Sequence, residues 1–273
     1  MSNTRDGRRF AADNRAVSAV VGFILIFGIL MLTLTVYQAQ IVPQQNAQTE
    51  FEHFGDVVDD MVDIRSGVSA AGQSERAQFP TITLSAEYQT RILTINPVTP
   101  RGTVQTSEAY PLNVTDEDGT TNQTQTRFLA YQAQYYEINI GVLRYENSVL
   151  YLDERAEPSE EYSVIEDQNL ATGDGQLRIT ALQTEGDGFD VSGSDRVTLD
   201  MYPTETESID VGELSGTQNV TFPTRLDAEY WEDTIGDEFD IIWTADEYDE
   251  DVHEVKVVEI DAENLVINAV EIR

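Results

Sequence analysis

The chain has 273 residues, with 16 Lys and Arg against 50 Asp and Glu, a formal net charge of −34 and no cysteine. A surface this acidic repels phosphates, so nucleic acid is excluded as a partner. The missing thiols remove disulfide frameworks, thiolate metal sites and cysteine nucleophiles.

Fifteen of the sixteen basic residues are Arg, and Lys256 stands alone. An acid excess with lysine depletion is the composition of a halophilic protein. In molar salt the Debye length falls to roughly 3 Å, so dense carboxylates repel one another little. Charge is also unevenly placed. Arg5, Arg8, Arg9 and Arg15 face only Asp6 and Asp13 in the first sixteen residues, whereas the chain from Tyr37 onward holds 12 bases and 48 acids.

The sign changes across one segment. No charge occurs between Arg15 and Glu50, and residues 17–36 supply twenty consecutive residues of mainly apolar character. A bilayer core of roughly 30 Å needs about 20 such residues as helix. Its few polar members, Ser18, Thr33 and Thr35, can bond their own helical carbonyls. We read residues 1–16 as a basic cytoplasmic leader and residues 17–37 as a transmembrane helix. The basic flank places the N-terminus in the cytoplasm and the rest of the chain outside. A cleaved secretory signal fits poorly, because the apolar run is long and Tyr37 sits three residues before a cut after Ala39.

The stretch Asn14-Arg15-Ala16-Val17-Ser18-Ala19-Val20-Val21-Gly22 resembles the N-terminus of haloarchaeal type IV pilins and pilin-like proteins. The resemblance covers residues 13–40. It implies that a prepilin peptidase cuts between Ala16 and Val17, with Arg15 and Ala16 preceding the cut. It also implies other pilin-like subunits as partners, beside membrane lipid and surface-layer components. Ala19 departs from the family by standing where proline is usual, and Val21 stands where bacterial pilins carry an acid.

Beyond Tyr37, Pro43 removes a helical N–H and is expected to kink or interrupt the helix. A second helical pattern follows on Phe51, Phe54, Val58, Met61, Val62, Ile64 and Val68, giving an amphipathic stalk over residues 38–71. One unbroken helix through this region would be about 80 Å long at 1.5 Å per residue.

From residue 79 to 273 the pattern has period two, as in Thr81-Ile-Thr-Leu-Ser85, Thr90-Arg-Ile-Leu-Thr-Ile95 and Gln176-Leu-Arg-Ile-Thr-Ala-Leu182. Gly and Asp clusters punctuate it. Short strands with frequent turns predict an antiparallel β-sandwich-like exterior domain, so the fold class is α+β. Glu146-Asn147-Ser148 predicts a hairpin turn. Thr224 is the predicted N-cap of a helix near residues 225–235, and the last two strands are read as a hairpin through Asp261-Ala-Glu263. The aromatic-rich stretch 127–152, with Phe128, Tyr131, Tyr135, Tyr136, Tyr145 and Tyr151, is read as sheet packing and edge support rather than a sugar- or partner-stacking face.

Motifs for chemistry are few. His53 and His253 lack partners at motif spacing, and no zinc, nucleophile-elbow or phosphate-loop pattern occurs. We therefore expect no enzyme, no cofactor, no metal and no catalytic residue. The twelve acids between Asp227 and Asp251 are read as a solvated face. Three glycosylation acceptors stand at Asn113, Asn122 and Asn219. The sequence reads as a cell-surface, pilin-like protein whose exterior domain serves assembly or adhesion. The alternatives are an uncut single-pass membrane protein whose exterior domain binds the surface layer or extracellular ligands, and, more remotely, a tethered hydrolase.

Overall fold

The computed structural model describes residues 14–74, 76–93, 95–156, 161–204, 216–249 and 251–273. The leader before Asn14, and the side chains of Arg15, Ala16 and Val17, lie outside the described residues. The chain is α+β, a long N-terminal helix followed by a mainly antiparallel β domain.

Helix α1 (Asn14–Val36) runs through a π-helical turn (Tyr37–Ile41) directly into α2 (Val42–Ser74). The prediction that Pro43 interrupts the helix is corrected here. The N–H of Val42 bonds the carbonyl of Tyr37, five residues back. This widened turn makes room where the proline ring would otherwise meet the preceding turn, and the rod continues. Thr33 and Thr35 donate to the carbonyls of Ile29 and Met31 at 2.9 and 2.8 Å, which satisfies these two hydroxyls within α1.

On α2 the buried face overlaps the expected one at Met61, Ile64 and Val68 and departs from it elsewhere. Asn46, Glu50, His53, Val57, Met61, Ile64, Val68 and Ala71 point inward, spaced by three or four residues. Phe51 is 68% exposed, and Phe54, Val58 and Val62 only flank the core. The apolar count strayed from the buried stripe in its first half because Asn46, Glu50 and His53 there are polar.

Among the described residues the domain holds sixteen strands. Strands β1 (Thr81–Thr83) and β11 (Arg196–Thr198) form one pair. A six-stranded antiparallel sheet contains β2 (Arg101–Thr106), β5 (Leu129–Gln134), β6 (Val142–Glu146), β7 (Val149–Asp153), β8 (Tyr162–Glu166) and β10 (Asp190–Gly193). A five-stranded sheet contains β3 (Tyr110–Asp116), β4 (Thr121–Thr126), β13 (Thr217–Thr224), β14 (Ile241–Asp249) and β15 (Val252–Asp261). In the last sheet, β16 (Leu265–Ile272) lies between β12 (Met201–Thr204) and β9 (Leu177–Thr184). Its pairing with β9 is parallel, so the sheets are not all antiparallel. The predicted final hairpin is also corrected: β15 pairs with β13 and β14, while β16 leaves for another sheet.

Two cores result. The first gathers Val57, Met61, Ile64 and Val68 of α2 against Leu129, Tyr131, Leu143 and Leu150. The second lies under helix α3 (Ala228–Ile235), where Trp231 packs edge-on against Phe222 at 5.2 Å. Strands β7, β9 and β16 contribute to both. Helix α3 is capped by Asp227, whose side chain accepts from the N–H of Tyr230, and not by the predicted Thr224. Phe128, Tyr131, Tyr145 and Tyr151 are buried, in keeping with the packing role expected of them, whereas Tyr135 is half-buried and Tyr136 is 55% exposed and departs from it. The predicted turn forms between β6 and β7, with Asn147 and Ser148 at φ 44° and 68°. Gly102 is required on β2, because a Cβ there would meet the Leu84 carbonyl at 2.1 Å.

Candidate functional site

The lower half of the rod is bare. Phe23, Ile24, Leu25, Ile26, Ile29, Leu30 and Leu32 are all more than half exposed. The helix is long and apolar enough to cross a membrane. Water would not tolerate this surface, since soluble monomers rarely expose continuous apolar patches beyond a few hundred Å². Arg15, Ala16 and Val17 lie within the first turn of α1.

Where the rod enters the β domain, polar side chains fasten it. Glu50 is fully buried. Its carboxylate accepts from the N–H groups of Tyr136, Glu137 and Ile138 at 3.0, 2.9 and 3.0 Å, and from the hydroxyl of Tyr88. Burial and the Glu50 charge push the Tyr88 phenol far above its ordinary value, so it remains a donor.

One turn on, His53 bridges two elements. Its Nε2 faces the Thr83 carbonyl at 3.1 Å, and its Nδ1 faces the Tyr135 hydroxyl at 2.6 Å. A carbonyl only accepts, so the neutral ring carries its proton on Nε2 and Tyr135 donates to Nδ1. Burial lowers the His53 pKa, against the opposing effects of the Thr83 carbonyl and of Asp56 and Asp60. Asp60 then accepts from the N–H of Thr83 at 2.9 Å. Burial raises its pKa, against the Thr83 bond and Arg196. Farther up, Arg65 donates to the carbonyls of Ser148 and Asp167, each at 2.6 Å.

A second buried carboxylate ties the β6–β7 hairpin to β13. Glu146 accepts from Thr224 Oγ1, the N–H of Arg225 and the Tyr151 hydroxyl at 2.7, 2.9 and 3.1 Å. Burial raises its pKa despite these donors. All of these contacts join the rod to the domain or one sheet to another.

Sequence reasoning missed Glu50, Tyr88, Tyr135, Asp60 and Glu146. The readable signal was Asn46, Glu50 and His53 in register with Val57, Met61 and Ile64. Polar residues on an otherwise buried stripe mark a fastening point. His253 stacks near Trp243 with ring centroids 4.7 Å apart. Among the described residues, no group of three or more His, Asp or Glu side chains is placed to hold a metal. Glu250 and the side chains of Asp246 and Asp249, within the acidic block, lie outside the described residues.

The three acceptor asparagines all fall in the five-stranded sheet. Asn122 lies on the edge strand β4, and Asn113 on β3, paired with Gln123. Asn219 lies on β13, where its Oδ1 accepts from the N–H of Glu259 at 3.1 Å. That bond supports a bulge at which Glu259 has φ 57°.

No family model matches the chain, and no solved structure matches it. An uncharacterized protein of Archaeoglobus fulgidus is 32% identical over 103 residues, which is 37% of this chain and 17% of that relative. The chain therefore spans only a minor part of that protein's length.

Proposed function

We propose that this is a pilin-like cell-surface protein of a halophilic archaeon, held in the membrane by α1, with its acidic β domain outside the cell. The observation that carries the reading is a single rod from Asn14 to Ser74, bare and apolar below and built into the protein core above. One rigid element thus serves as both anchor and internal support. Cutting after Ala16 removes the Arg-rich leader and leaves a helix with no side-chain charge before Glu50. Such a helix can exchange lipid for the matching helices of neighbouring subunits without exposing apolar surface. The β domain then presents the outer surface, for assembly or adhesion rather than catalysis.

The test is the mature N-terminus, read by mass spectrometry on protein from native membranes or surface filaments. A chain beginning at Val17 supports the reading. Retention of Met1 overturns the pilin assignment and leaves an uncut single-pass anchor, and a start beyond Tyr37 removes the anchor itself.

A further inference from the structure

Residues 84–93 and 95–100, predicted in part as a strand, form an irregular loop that turns back along the rod toward its apolar half. Its two legs are joined at the base, where Ser85 Oγ donates to the Pro100 carbonyl at 2.5 Å. Asn96 Nδ2 donates to the Gln89 carbonyl at 2.7 Å and closes it farther along. Arg91 reaches α2, donating to Asn46 Oδ1 and Gln45 Oε1 at 3.1 and 2.8 Å. The deepest tie is at the π turn. Gln38 Nε2 donates to the Ile95 carbonyl at 2.8 Å, and Gln38 Oε1 accepts from the Ile95 N–H at 3.0 Å. A side-chain amide here takes the place of a strand partner.

This framework holds apolar side chains in the open. Ile92 is 97% exposed, Leu93 78%, Ile95 81% and Val98 78%. Ile92 and Leu93 share an open apolar groove with Leu30, Met31, Leu34 and Tyr37 of the rod. At 1.5 Å per residue, those rod positions extend about 10 Å below Tyr37. The polar interface on each side of a bilayer is only about 5–8 Å thick. If α1 spans the membrane, as proposed above, a loop at this level passes the headgroups.

We propose that this loop is a second membrane contact, in which Ile92 and Leu93 enter the hydrocarbon of the outer leaflet beside α1. Its occupant is lipid, because the helix positions that share the groove belong to the spanning segment. Lipid acyl chains also fill the space between loop and rod without needing hydrogen-bond partners. The loop would fix the height and tilt of the β domain on the membrane, which one helix cannot do.

The cysteine-free chain allows a direct test. Ile92→Cys, Leu25→Cys and Asp118→Cys, each in the full-length protein, carry one environment-sensitive fluorophore in diphytanoyl phosphatidylcholine vesicles. A portion of the lipid bears a nitroxide on its acyl chain. Position 25 reports the span, and position 118, in the turn between β3 and β4, reports the outer domain. The expected result is blue-shifted emission and marked quenching at positions 25 and 92, with neither at 118. Quenching at 25 alone overturns the loop contact and leaves the spanning helix standing. Blue-shifted emission at 92 without quenching also overturns it, and points to a protein neighbour in place of lipid. Quenching at none of the three defeats the span and the loop together, and quenching at 118 as well removes the loop's specificity.

Discussion

His53 on the rod and Tyr135 in the β domain meet at 2.6 Å between Nδ1 and the phenolic oxygen. With the ring neutral, Tyr135 donates to Nδ1; a protonated Nδ1 would instead donate to the Tyr135 oxygen, whose hydrogen must then turn away. Burial sets the folded pKa below the ordinary 6.5, so the unfolded chain takes up the proton first as pH falls. The stabilisation is complete above about pH 6.5 and is lost as pH drops from there toward the lowered folded value. In His53→Gln the amide keeps a donor for Thr83 and does not titrate. Thermal unfolding followed against pH should show a decline below about 6.5 in the wild type, and a flatter profile in the variant over that window.

The two buried carboxylates should answer differently to the same substitution. In Glu50→Gln, one oxygen that accepts from Glu137 and Ile138 N–H groups, or its counterpart facing Tyr136 and Tyr88, becomes an NH₂ aimed at donors. We expect a loss of about 3 kcal/mol, close to that of Glu50→Ala. Glu146→Gln is milder. Its amide oxygen keeps Thr224 and Arg225, and its NH₂ can donate to Tyr151, whose hydroxyl rotates to accept. Because burial raises the Glu146 pKa, its contribution to stability falls as pH rises through the folded value. The Gln variant removes that slope. Denaturant unfolding at two pH values separates these outcomes.

The register of α2 can be tested by truncation. Ile64 is fully buried, and Ile64→Ala should cost about 2–5 kcal/mol through lost burial and the cavity left behind. Phe51 lies outside the core, so Phe51→Ala should change unfolding stability by less than about 0.5 kcal/mol. Equal losses would contradict the observed face.

The acid excess predicts a strong salt requirement. With 48 acids and 12 bases from Tyr37 onward, repulsion opposes compaction wherever ions do not screen it. The Debye length shortens from about 10 Å at 0.1 M to about 3 Å at 1 M salt. The unfolding midpoint should therefore climb steadily with KCl between those concentrations. A midpoint independent of salt would remove the halophilic reading.

Much of this architecture was legible before folding. The charge-free stretch after Arg15 announced the rod, and Glu146-Asn147-Ser148 announced its hairpin. Pro43 misled, because a helix can widen by one residue around a proline and go on, and nothing in the local sequence distinguishes that from a break. Residues 90–95 alternate as a strand does, yet the Gln38 side chain takes the backbone pairing of Ile95 and no sheet forms at the described residues of this stretch. Strand β16 carries the right alternation but finds β9, far back in the chain, rather than its immediate predecessor. Partner choice of that kind depends on which core a strand completes. The fastening residues were hidden for a simpler reason. Glu50 and His53 look like surface positions until the loop that covers them is in place.

The rod is part of the first core, with Val57, Met61, Ile64, Val68 and Ala71 all inside it. A pull along the axis of α1 therefore reaches the β domain in shear, across a row of contacts that must yield together. There is no slender hinge between tether and cargo to peel open one bond at a time. A load on the rod is thus borne by the whole interior of the molecule.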